Sequence, residues 1–549
     1  MTVTATAPDI AATDGTRTLD ALVIGAGVAG LYQVYQLKKL GLNVHGYEEA
    51  ADVGGTWYWN RYPGARFDSE GYIYQYMFDE DLYKGWSWSK KFPDQSEIEA
   101  WFHYVTDQLD VRDDFTFATR ITSAEFDEVT NRWTVTTDTG ETIDTQFLVS
   151  CAGMLSAPLT DMFEGQDTFG GEIFHTSRWP RDGVQLLHKR VAVIGTGATG
   201  IQVIQTIAPD VDLLKVFIRT PQFTLPMKNP DYTTADIAAY HDKYEHLRDT
   251  VKTTVVGFEY DYTTKEWAER TEEERRQLLE ECYDDGSLKL WIGSYLSMFI
   301  DPDVSAAVSD FVRAKIEARL RDPKLIDLLV PGPDDFGFGT HRVPLERGYY
   351  ETFHRPNVEA IGVRDNPITR IVPEGIELAD GTVHEVDVII MATGFDAGSG
   401  ALSRLDPKGR GGRSLAADWS REIRTTMGFM VHGYPNLLTT GVPLAPSAAL
   451  CNMPTCLQQQ TEWITRLINH MREHDLSVVE PTAEGEQAWV AHHDEVTQAT
   501  LIAQTNSWYN GANVDGKPRG RVLSYLGAAD FRQRSDENAD KGYPGFHFS

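Results

Sequence analysis

Apolar runs, glycine turns and helical patterns alternate near the start of the chain. The apolar run 19–24 leads into Gly25, Gly27 and Gly30, a helical pattern follows, and a second apolar run ends at Glu48. This order predicts a βαβ unit that binds a dinucleotide. The first glycine permits a tight turn, the second lets a pyrophosphate approach the backbone, and the third lets the helix pack on the strand. Glu48 stands where a carboxylate binds a ribose diol, which makes the motif more specific than its glycines alone.

The same pattern recurs at residues 189–220. Gly195, Gly197 and Gly200 take the roles of the three glycines, but Arg219 stands at the end of the second predicted strand. A guanidinium cannot accept a hydrogen bond from a ribose hydroxyl, whereas it can bind a 2′-phosphate. We therefore predict an FAD site at the first turn and an NADPH site at the second.

A third apolar strand and a charged stretch indicate how the two units are connected. Residues 384–395 predict a buried strand that ends in Ala-Thr-Gly, which in flavoproteins with two dinucleotide sites marks the return of the chain to the FAD unit. Between Val304 and Leu320, apolar residues fall at helical spacing within a charged region. Pro323 and residues 331–339 predict a loop that leads to a strand bearing Arg342.

The predicted fold class is α/β, with two dinucleotide-binding (Rossmann-like) domains, for FAD and NADPH, and a mainly helical insertion. In chain order the predicted segments are a disordered N-terminal tail (1–18), the first part of the FAD-binding domain (19–155), the first part of the NADPH-binding domain (156–225), the helical insertion (226–330), the second part of the NADPH-binding domain (331–393), and the second part of the FAD-binding domain with substrate-pocket loops (394–549).

The composition of the chain limits which partners and which cellular location we expect for it. The formal net charge of −31 argues against nucleic acid and anionic membranes as partners. The N-terminus lacks the basic start and apolar segment of a secretion signal, and no apolar run is long enough to cross a membrane. Cys151, Cys282, Cys451 and Cys456 show neither disulfide nor zinc spacing. A reducing cytoplasm is therefore the predicted location.

Two further motifs make the chain resemble the type I Baeyer–Villiger monooxygenases, which use FAD and NADPH. The stretch FGGEIFHTSRWP, 169–180, matches that family's fingerprint through Phe169, Gly171, His175, Trp179 and Pro180. Residues 54–68 match the family's second motif through Gly55, Trp57, Tyr62, Pro63, Gly64 and Asp68. The glycine turns flank the fingerprint in the family's order, and the chain most resembles the branch that acts on acetone and other short methyl ketones.

The resemblance implies a reaction and two catalytic residues. The enzyme would convert small linear and cyclic ketones to esters or lactones with NADPH and O2 through a C4a-peroxyflavin, with sulfoxidation as a further activity. This chemistry needs a fixed cation beside the flavin in a dry pocket. By resemblance, Arg342 is that cation and Asp68 is its partner. A guanidinium stays charged at every relevant pH, which suits the task.

The glycine turns and the resemblance together imply the remaining site residues. The predicted FAD contacts are Gly25, Gly27, Ala29, Gly30, Glu48, Thr56, Trp57, Asp68, Tyr74, Ile121 and Met453. The predicted NADP contacts are Gly195, Thr196, Gly197, Thr199, Gly200, Arg219, Thr220, His341, Arg342 and Trp508. Leu450 and Met453 are predicted to line the substrate pocket, and no metal is predicted.

His341 departs from the family pattern, which usually has a lysine just before the active-site arginine. A histidine is mostly neutral at pH 7. We therefore expect Arg219 to carry the preference for NADPH, and the selectivity over NADH to be weaker or pH-dependent.

The fingerprint itself lies between the two predicted dinucleotide units. Both cofactor sites can be assigned without it, and Arg342 is the better source of the required charge. We therefore predict that His175 and Trp179 couple the two domains and that no bond breaks there.

Three other functions fit parts of the sequence. An N- or S-oxygenating flavin-containing monooxygenase would share both glycine turns without needing Asp68 and Arg342. A flavin reductase or NADPH-binding electron-transfer protein would lack oxygen chemistry, and a non-enzymatic scaffold would bind neither cofactor. The predicted partners are a small ketone, O2 and NADPH, with no nucleic acid, membrane or obligate protein partner.

Overall fold

A computed structural model describes residues 16–446, 450–522 and 527–549. Most of the tail predicted for residues 1–18 lies outside the described residues, as do residues 447–449 of the predicted substrate-pocket loop. Arg17 and Thr18, which the sequence placed in the tail, belong to the first strand. Within the described residues, no helix is both long enough and apolar enough to cross a membrane.

Strands occur along the whole described chain, and most of them are short. In chain order they are β1 (Arg17–Ile24), β2 (Val44–Tyr47), β3 (Phe115–Thr116), β4 (Ile121–Asp127), β5 (Arg132–Thr137), β6 (Thr142–Ser150), β7 (Glu172–His175), β8 (Arg190–Ile194), β9 (Leu213–Ile218), β10 (Leu225–Pro226), β11 (Leu345–Glu346), β12 (Val358–Gly362), β13 (Ile368–Val372), β14 (Gly375–Leu378), β15 (Val383–Glu385), β16 (Val388–Met391), β17 (Leu437–Thr439), β18 (Val479–Pro481) and β19 (Phe546–Phe548).

The α-helices are longest in the C-terminal third and in the middle of the chain. In chain order they are α1 (Val28–Lys39), α2 (Thr56–Trp59), α3 (Glu80–Lys84), α4 (Gln95–Leu109), α5 (Ala198–Ile207), α6 (Thr234–Asp242), α7 (Tyr244–Thr253), α8 (Glu272–Asp284), α9 (Lys289–Ile292), α10 (Pro302–Glu317), α11 (Pro323–Leu329), α12 (Tyr349–Thr352), α13 (Gly400–Leu405), α14 (Leu415–Trp419), α15 (Met453–Glu473), α16 (Ala483–Gln498) and α17 (Ala528–Asp540).

The first sheet is built around β1. Its order is β3-β2-β1-β6-β5-β4, and β17 also pairs with β6. Strands β2 and β6 pair with β1 in parallel, which leaves Ala21, Leu22 and Val23 fully buried. This burial explains the unbroken apolar run, since strands of parallel sheets are covered on both faces. The late strand β17 and helix α15, which packs against α1, bring the C-terminal part of the chain back to this sheet.

The second sheet is parallel throughout and has the order β12-β9-β8-β16-β7. The second glycine turn joins β8 to α5, and the buried strand predicted within residues 384–395 is β16. The fingerprint supplies β7, the edge strand beside β16. A mixed sheet and a parallel sheet, each with one strand that leads through a glycine turn into a helix (β1 into α1, β8 into α5), confirm the predicted α/β fold class.

In chain order, helices α6 to α11 lie between β9 and β12 of the second sheet. On α10, the predicted apolar stripe buries Val304, Val308, Val312 and Ile316. The loop prediction at Pro323 is wrong, because Pro323 opens α11 at a position where its missing N–H costs nothing. Arg342 lies in an irregular segment before β11, and so the strand predicted for it is also wrong.

Packing joins the two sheets directly as well as through the connecting chain. Tyr62 and Ile73, which follow the first glycine unit, belong to the same apolar core as residues of β8 and α5. The Tyr62 hydroxyl donates to Gln202 Oε1 on α5 at 2.9 Å. A Cβ on Gly64 would lie 2.7 Å from the Gln202 carbonyl oxygen, so only glycine permits this close approach. The second motif of the sequence is therefore also a packing element between the sheets.

The cysteines differ from the sequence expectation in one respect. Cys451 and Cys456 form a disulfide, although their spacing predicted none. Helix α15 begins at Met453, and its first turn returns Cys456 to within 6.5 Å of Cys451, measured between Cα atoms. Cys151 and Cys282 are buried free thiols. A local helical turn produces this pairing, which spacing alone does not reveal.

Two glycines of the second turn should respond differently to substitution by alanine. A Cβ on Gly200 would lie 2.1 Å from the Gly195 carbonyl oxygen, whereas a Cβ on Gly197 would meet nothing within 4 Å. We expect Gly200→Ala to lower the melting temperature of the FAD-loaded protein by about 4 °C or more, because α5 must move off β8.

Gly197→Ala is the matched control for this substitution. Its melting temperature should stay within about 1 °C of the wild type, while its methyl group obstructs the pyrophosphate and weakens NADP+ binding. Melting curves without NADP+ and titration calorimetry with it measure the two effects. Unchanged stability of Gly200→Ala, or unchanged NADP+ binding by Gly197→Ala, would contradict the assigned roles.

Candidate active site

A cavity of about 1110 Å³ receives side chains from both sheets and from the helical insertion. Nearly all of the predicted cofactor and pocket residues line it: Gly25, Gly27, Ala29, Glu48, Thr56, Trp57, Asp68, Tyr74, Ile121, Gly195, Thr196, Gly197, Thr199, Arg219, Thr220, His341, Arg342, Leu450, Met453 and Trp508. The predicted residues that do not line it are Gly30, Gly200, Phe169, Gly171, His175, Trp179 and Pro180. Gly30 and Gly200 instead pack their helices against the turns.

The helices that follow the two glycine turns present uncapped N-termini to this cavity. The N-cap residues are Gly27 for α1 and Gly197 for α5, and neither supplies a side-chain cap. Neither helix carries an acidic residue in its first turn. The first N–H groups of a helix have no partner within the helix, and together with the helix dipole they favour an anion. Both helix ends therefore fit a pyrophosphate.

Glu48 lies at the end of β2 beside the first turn. Its Oε2 accepts from the Ala26 N–H and its Oε1 from the Ala50 N–H, each at 2.7 Å. Burial raises the pKa of this carboxyl, and the two backbone donors oppose that effect. Each oxygen keeps a second lone pair, so the fixed carboxyl group can also accept from ribose hydroxyls.

Arg342 and Asp68 meet in the wall of the cavity. The Arg342 Nη2 lies 3.6 Å from Asp68 Oδ2, and the guanidinium stands over the Trp291 ring at 5.2 Å. Asp68 is 4 % exposed, and its Oδ1 has no hydrogen-bond partner within the described residues. Burial raises the pKa of Asp68 to about 6, although the positive charge of Arg342 opposes the shift. The pair holds a guanidinium, 25% exposed, at a defined place in the cavity wall beside a buried carboxyl group.

Three aromatic side chains make a rigid wall near this pair. The Trp57 indole N–H donates to the Tyr74 hydroxyl at 3.0 Å, and Phe67 stacks on Tyr74 with centroids 4.2 Å apart. Trp57 meets Phe67 edge-on at 5.8 Å. These contacts fix the ring of Trp57, whose helix α2 begins directly after Gly55. A planar ring system such as a flavin fits against such a wall.

The predicted 2′-phosphate site has one exposed cation and one neutral ring. Arg219 is exposed at the end of β9, and Thr220 accepts from the Thr196 hydroxyl through its carbonyl oxygen at 3.1 Å. His341 stacks on Phe336 with centroids 3.8 Å apart, and its Nε2 is buried without a partner within the described chain. Burial lowers the pKa of His341 to about 4. At neutral pH this ring adds no positive charge.

The helical insertion contributes to the cavity, which sequence reasoning did not anticipate. Val256, Phe258, Trp291 and Ile292 line it together with Leu450 and Met453. The sequence predicted this region only as a mainly helical insertion, and Trp291 within it is fully buried. No local signal separates a core tryptophan from one that also faces a cavity, so only the tertiary structure identifies Trp291.

The segment that carries Trp508 is fastened at two points. The Asn513 side-chain amide donates to the Phe395 carbonyl oxygen at 2.8 Å. The Lys517 ammonium lies 2.5 Å from Asp396 and donates to the Ala397 carbonyl oxygen at 2.6 Å. These partners follow β16, where the chain leaves the second sheet. Trp508 is thereby held against the cavity.

The five residues of the fingerprint pattern lie beside the cavity, whereas Ser177 and Arg178 within the same stretch line it. His175 ends β7, and its Nδ1 lies 2.7 Å from the Ser177 hydroxyl and accepts from the Ser177 N–H at 3.2 Å. Burial lowers the pKa of His175 to about 4, so this ring is neutral. Trp179 packs near Phe174 with centroids 5.6 Å apart. Within the described residues, no group of acidic, histidine and cysteine side chains could hold a metal ion.

The raised pKa of Asp68 predicts an unusual dependence of stability on pH. Between about pH 4 and pH 6 the folded protein keeps a proton that the unfolded chain releases, so stability falls as the pH rises through this window. Asp68→Asn removes the titration. Melting curves of both proteins should show that, from pH 4 to pH 7.5, the free energy of unfolding of wild type falls by about 2 to 3 kcal/mol relative to that of the variant. A constant difference, or a relative gain for wild type, would contradict the assignment.

The geometry of the second turn predicts how nicotinamide cofactors are distinguished. We expect Arg219→Ala to weaken NADP+ binding by about 10- to 100-fold, because a charge-assisted contact is lost, and to leave NAD+ binding unchanged. His341→Lys should strengthen NADP+ binding. Titration calorimetry with both nucleotides measures this, and NAD+ serves as the matched control ligand.

The pH dependence of this preference separates the two basic positions. His341 is neutral throughout pH 6 to 8, so it should add no pH dependence to the ratio of NADP+ to NAD+ affinity. Over this range the ratio should change only through the titration of the 2′-phosphate, and the change should be the same in wild type and in His341→Gln. An unchanged ratio in Arg219→Ala would overturn the assignment of the 2′-phosphate site.

Comparison with known proteins agrees with this geometry. The profile of the family described as Flavin-binding monooxygenase-like matches residues 20–237. The chain is 64% identical over 535 residues to the acetone monooxygenase (methyl acetate-forming) of Gordonia sp. (strain TY-5), covering 97% of this chain and 100% of that one. It is 37% identical over 537 residues to a Baeyer–Villiger monooxygenase of Pseudooceanicola batsensis, covering 97% of each.

A solved structure resembles the whole fold. The crystal structure of OTEMO in complex with FAD and NADP superposes with a TM-score of 0.93 at 36% identity, covering 97% of this chain and 99% of that one. The similarity extends over both sheets, the insertion and the C-terminal segment. The chain therefore belongs to the flavin-dependent Baeyer–Villiger monooxygenases.

Proposed function

We propose that this protein inserts one oxygen atom from O2 into a small ketone, giving an ester or lactone, with FAD as its bound cofactor and NADPH as reductant. The observation that carries the proposal is the Arg342–Asp68 pair in the wall of a cavity that both glycine turns share. A reductase or electron-transfer protein does not need a guanidinium fixed at that point. An oxygenase that develops negative charge there does.

The two cofactors are proposed to share the cavity as follows. Gly25, Gly27 and Glu48 would hold FAD, and Trp57 and Tyr74 would offer a wall to its ring system. Gly195, Gly197 and Arg219 would hold NADPH, and Arg342 and Trp508 would serve its nicotinamide end. The FAD domain would then comprise residues 19–155 and 394–549, and the NADPH domain residues 156–225 and 331–393, with the insertion between. Both uncapped helix ends support this placement.

The residues around the pair supply electrostatics and exclude water. Bound FAD, reduced by NADPH, supplies the activation of O2. Arg342 offers a permanent positive charge to the oxygen that becomes negative, and Asp68 fixes the direction of the guanidinium. Trp291 beneath the guanidinium limits its movement. Trp57, Phe258 and Trp508 remove water from the cavity, which strengthens the interaction of Arg342 with developing charge.

We propose acetone and other short methyl ketones as the preferred substrates, with small cyclic ketones accepted. The relative at 64% identity is named for acetone and for methyl acetate formation. Leu450 and Met453 line the cavity together with the apolar residues Val256, Phe258 and Leu457. Such side chains bind short alkyl groups. A cytoplasmic location stays a prediction.

Product analysis over a substrate panel tests the proposed reaction. Purified enzyme with NADPH and 18O2 should convert acetone, butanone and cyclohexanone to an ester or lactone that carries one labelled oxygen, in a ratio to NADPH oxidised that approaches one. The panel includes an amine and a sulfide. Amine oxidation without an ester from any ketone would overturn the proposal, as would NADPH consumption that does not depend on O2.

Substitution of Arg342 tests the observation on which the proposal depends. Arg342→Ala should lower ester formation by about 100-fold or more while FAD stays bound, because the developing charge loses its fixed partner. Arg342→Lys keeps a positive charge but lacks the planar guanidinium, so its rate of ester formation should lie between those of wild type and Arg342→Ala. Ester formation by Arg342→Ala within about twofold of wild type would contradict the role given to this residue.

A further inference from the structure

Two arginines flank Trp179 and Pro180 at the end of the fingerprint, at positions that the family pattern leaves open. Both reach across to the first glycine unit. Arg178 places its guanidinium over the Trp59 ring at 4.0 Å, and Arg181 places its guanidinium over the Tyr58 ring at 4.7 Å. Trp59 and Tyr58 are the last two residues of α2. We call these four side chains the arginine clasp.

Each arginine also has an acidic partner on the same side. Arg178 Nη2 lies 3.8 Å from Oε1 of Glu49, the residue that follows Glu48 after β2. Arg181 lies 3.1 Å from Glu99 on α4. The Arg178 side chain is 35% exposed and Arg181 is 50% exposed. Exposed ion pairs contribute little, so the closer and less exposed contact, Arg178 on Trp59, should have the larger effect.

The clasp holds a helix whose two tryptophans, Trp57 and Trp59, both line the cofactor cavity, as Arg178 itself does. Trp57 precedes Tyr58 and Trp59 on α2 and is fixed by its hydrogen bond to Tyr74. A four-residue helix has too few internal hydrogen bonds to hold its place alone. The rings of Tyr58 and Trp59 meet edge-on with centroids 5.0 Å apart, so the two arginines contact two rings that also contact each other.

The fingerprint residues of the family pattern do not make this contact. His175 bonds to Ser177 and Trp179 packs near Phe174, both within the fingerprint segment itself. Strand β7 fixes that segment to the second sheet. Among the described residues, the guanidinium–ring contacts that join the end of the fingerprint to α2 are those of Arg178 and Arg181.

We propose that Arg178 and Arg181 are positioning residues that lock α2, and with it the Trp57 wall, to the fingerprint edge strand of the second sheet. The inference rests on the proposed function only for its catalytic consequence. When the clasp is lost, α2 is less restrained, Trp57 seals the cavity less well, and more of the electrons from NADPH are released as H2O2 instead of being used to form ester.

The test removes each side of the contact in turn, the charge of Arg178 by a side chain of similar length and the ring of Trp59 by a smaller apolar side chain. The variants are Arg178→Met, Trp59→Leu and the two together, with Arg178→Lys as the conservative variant. Arg190→Met is the matched control, because Arg190 at the start of β8 pairs with Glu385 at the end of β15 and with Asp387 just before β16, and within the described residues its ion pairs do not involve α2. All proteins are loaded with FAD.

Hydrogen exchange gives a readout that does not depend on catalysis. The amides of Trp57, Tyr58 and Asn60 donate to Gly54, Gly55 and Thr56. We expect Arg178→Met and Trp59→Leu each to speed exchange of these amides by about two- to tenfold, and the double variant to add nothing further, because both remove one contact. Arg178→Lys should restore protection, and Arg190→Met should leave it unchanged.

Two companion measurements complete the test. The fraction of NADPH electrons recovered as H2O2 should rise in parallel with exchange, and the dissociation constant for FAD should stay within about twofold of wild type. Unchanged exchange in Arg178→Met, or additive effects in the double variant, would overturn the clasp. A large loss of FAD affinity would also overturn it, since Arg178 would then act on the cofactor. Failure of ester formation in every protein, with exchange as expected, would instead contradict the proposed function.

Discussion

The interaction on which the site depends is the pair of the partly exposed Arg342 and the buried Asp68. A buried carboxylate is costly unless a cation compensates it, and the raised pKa of Asp68 records that cost. The same environment makes the guanidinium effective towards a second negative charge. Trp291 comes from the insertion, Asp68 follows the first glycine unit and Arg342 precedes β11, so the pair forms only when all three regions pack together.

Close backbone packing brings these regions together. A Cβ on Gly30 would lie 1.8 Å from the Gly25 carbonyl oxygen, which shows how tightly α1 sits on its turn. Gly64 allows the segment after α2 to approach α5, and Tyr62 bonds to Gln202 there. The second motif thus serves two purposes, since it carries Trp57 and Asp68 to the cavity and fastens one sheet to the other. The arginine clasp adds a further link between α2 and the second sheet.

The sequence predicted those features whose physical cause is local. Glycine turns between apolar runs identified both βαβ units, and the apolar stripe of α10 appeared at its helical spacing. Features that depend on distant packing could not be found this way. Trp291 differs from a core tryptophan only through its position beneath Arg342, and Arg178 and Arg181 are unremarkable until Trp59 and Tyr58 lie beside them. Pro323 and the Cys451–Cys456 pair were misjudged because each depends on where a helix begins.

We propose that Asp68 acts through Arg342 and has no separate role in catalysis. A double-mutant cycle on the rate of ester formation from acetone, at pH 7.5 and saturating NADPH, tests this. Two residues that act as one unit give non-additive effects. We predict that Asp68→Asn slows ester formation in the wild-type background and has no further effect, within about twofold, in Arg342→Ala. An equal loss in both backgrounds would contradict it.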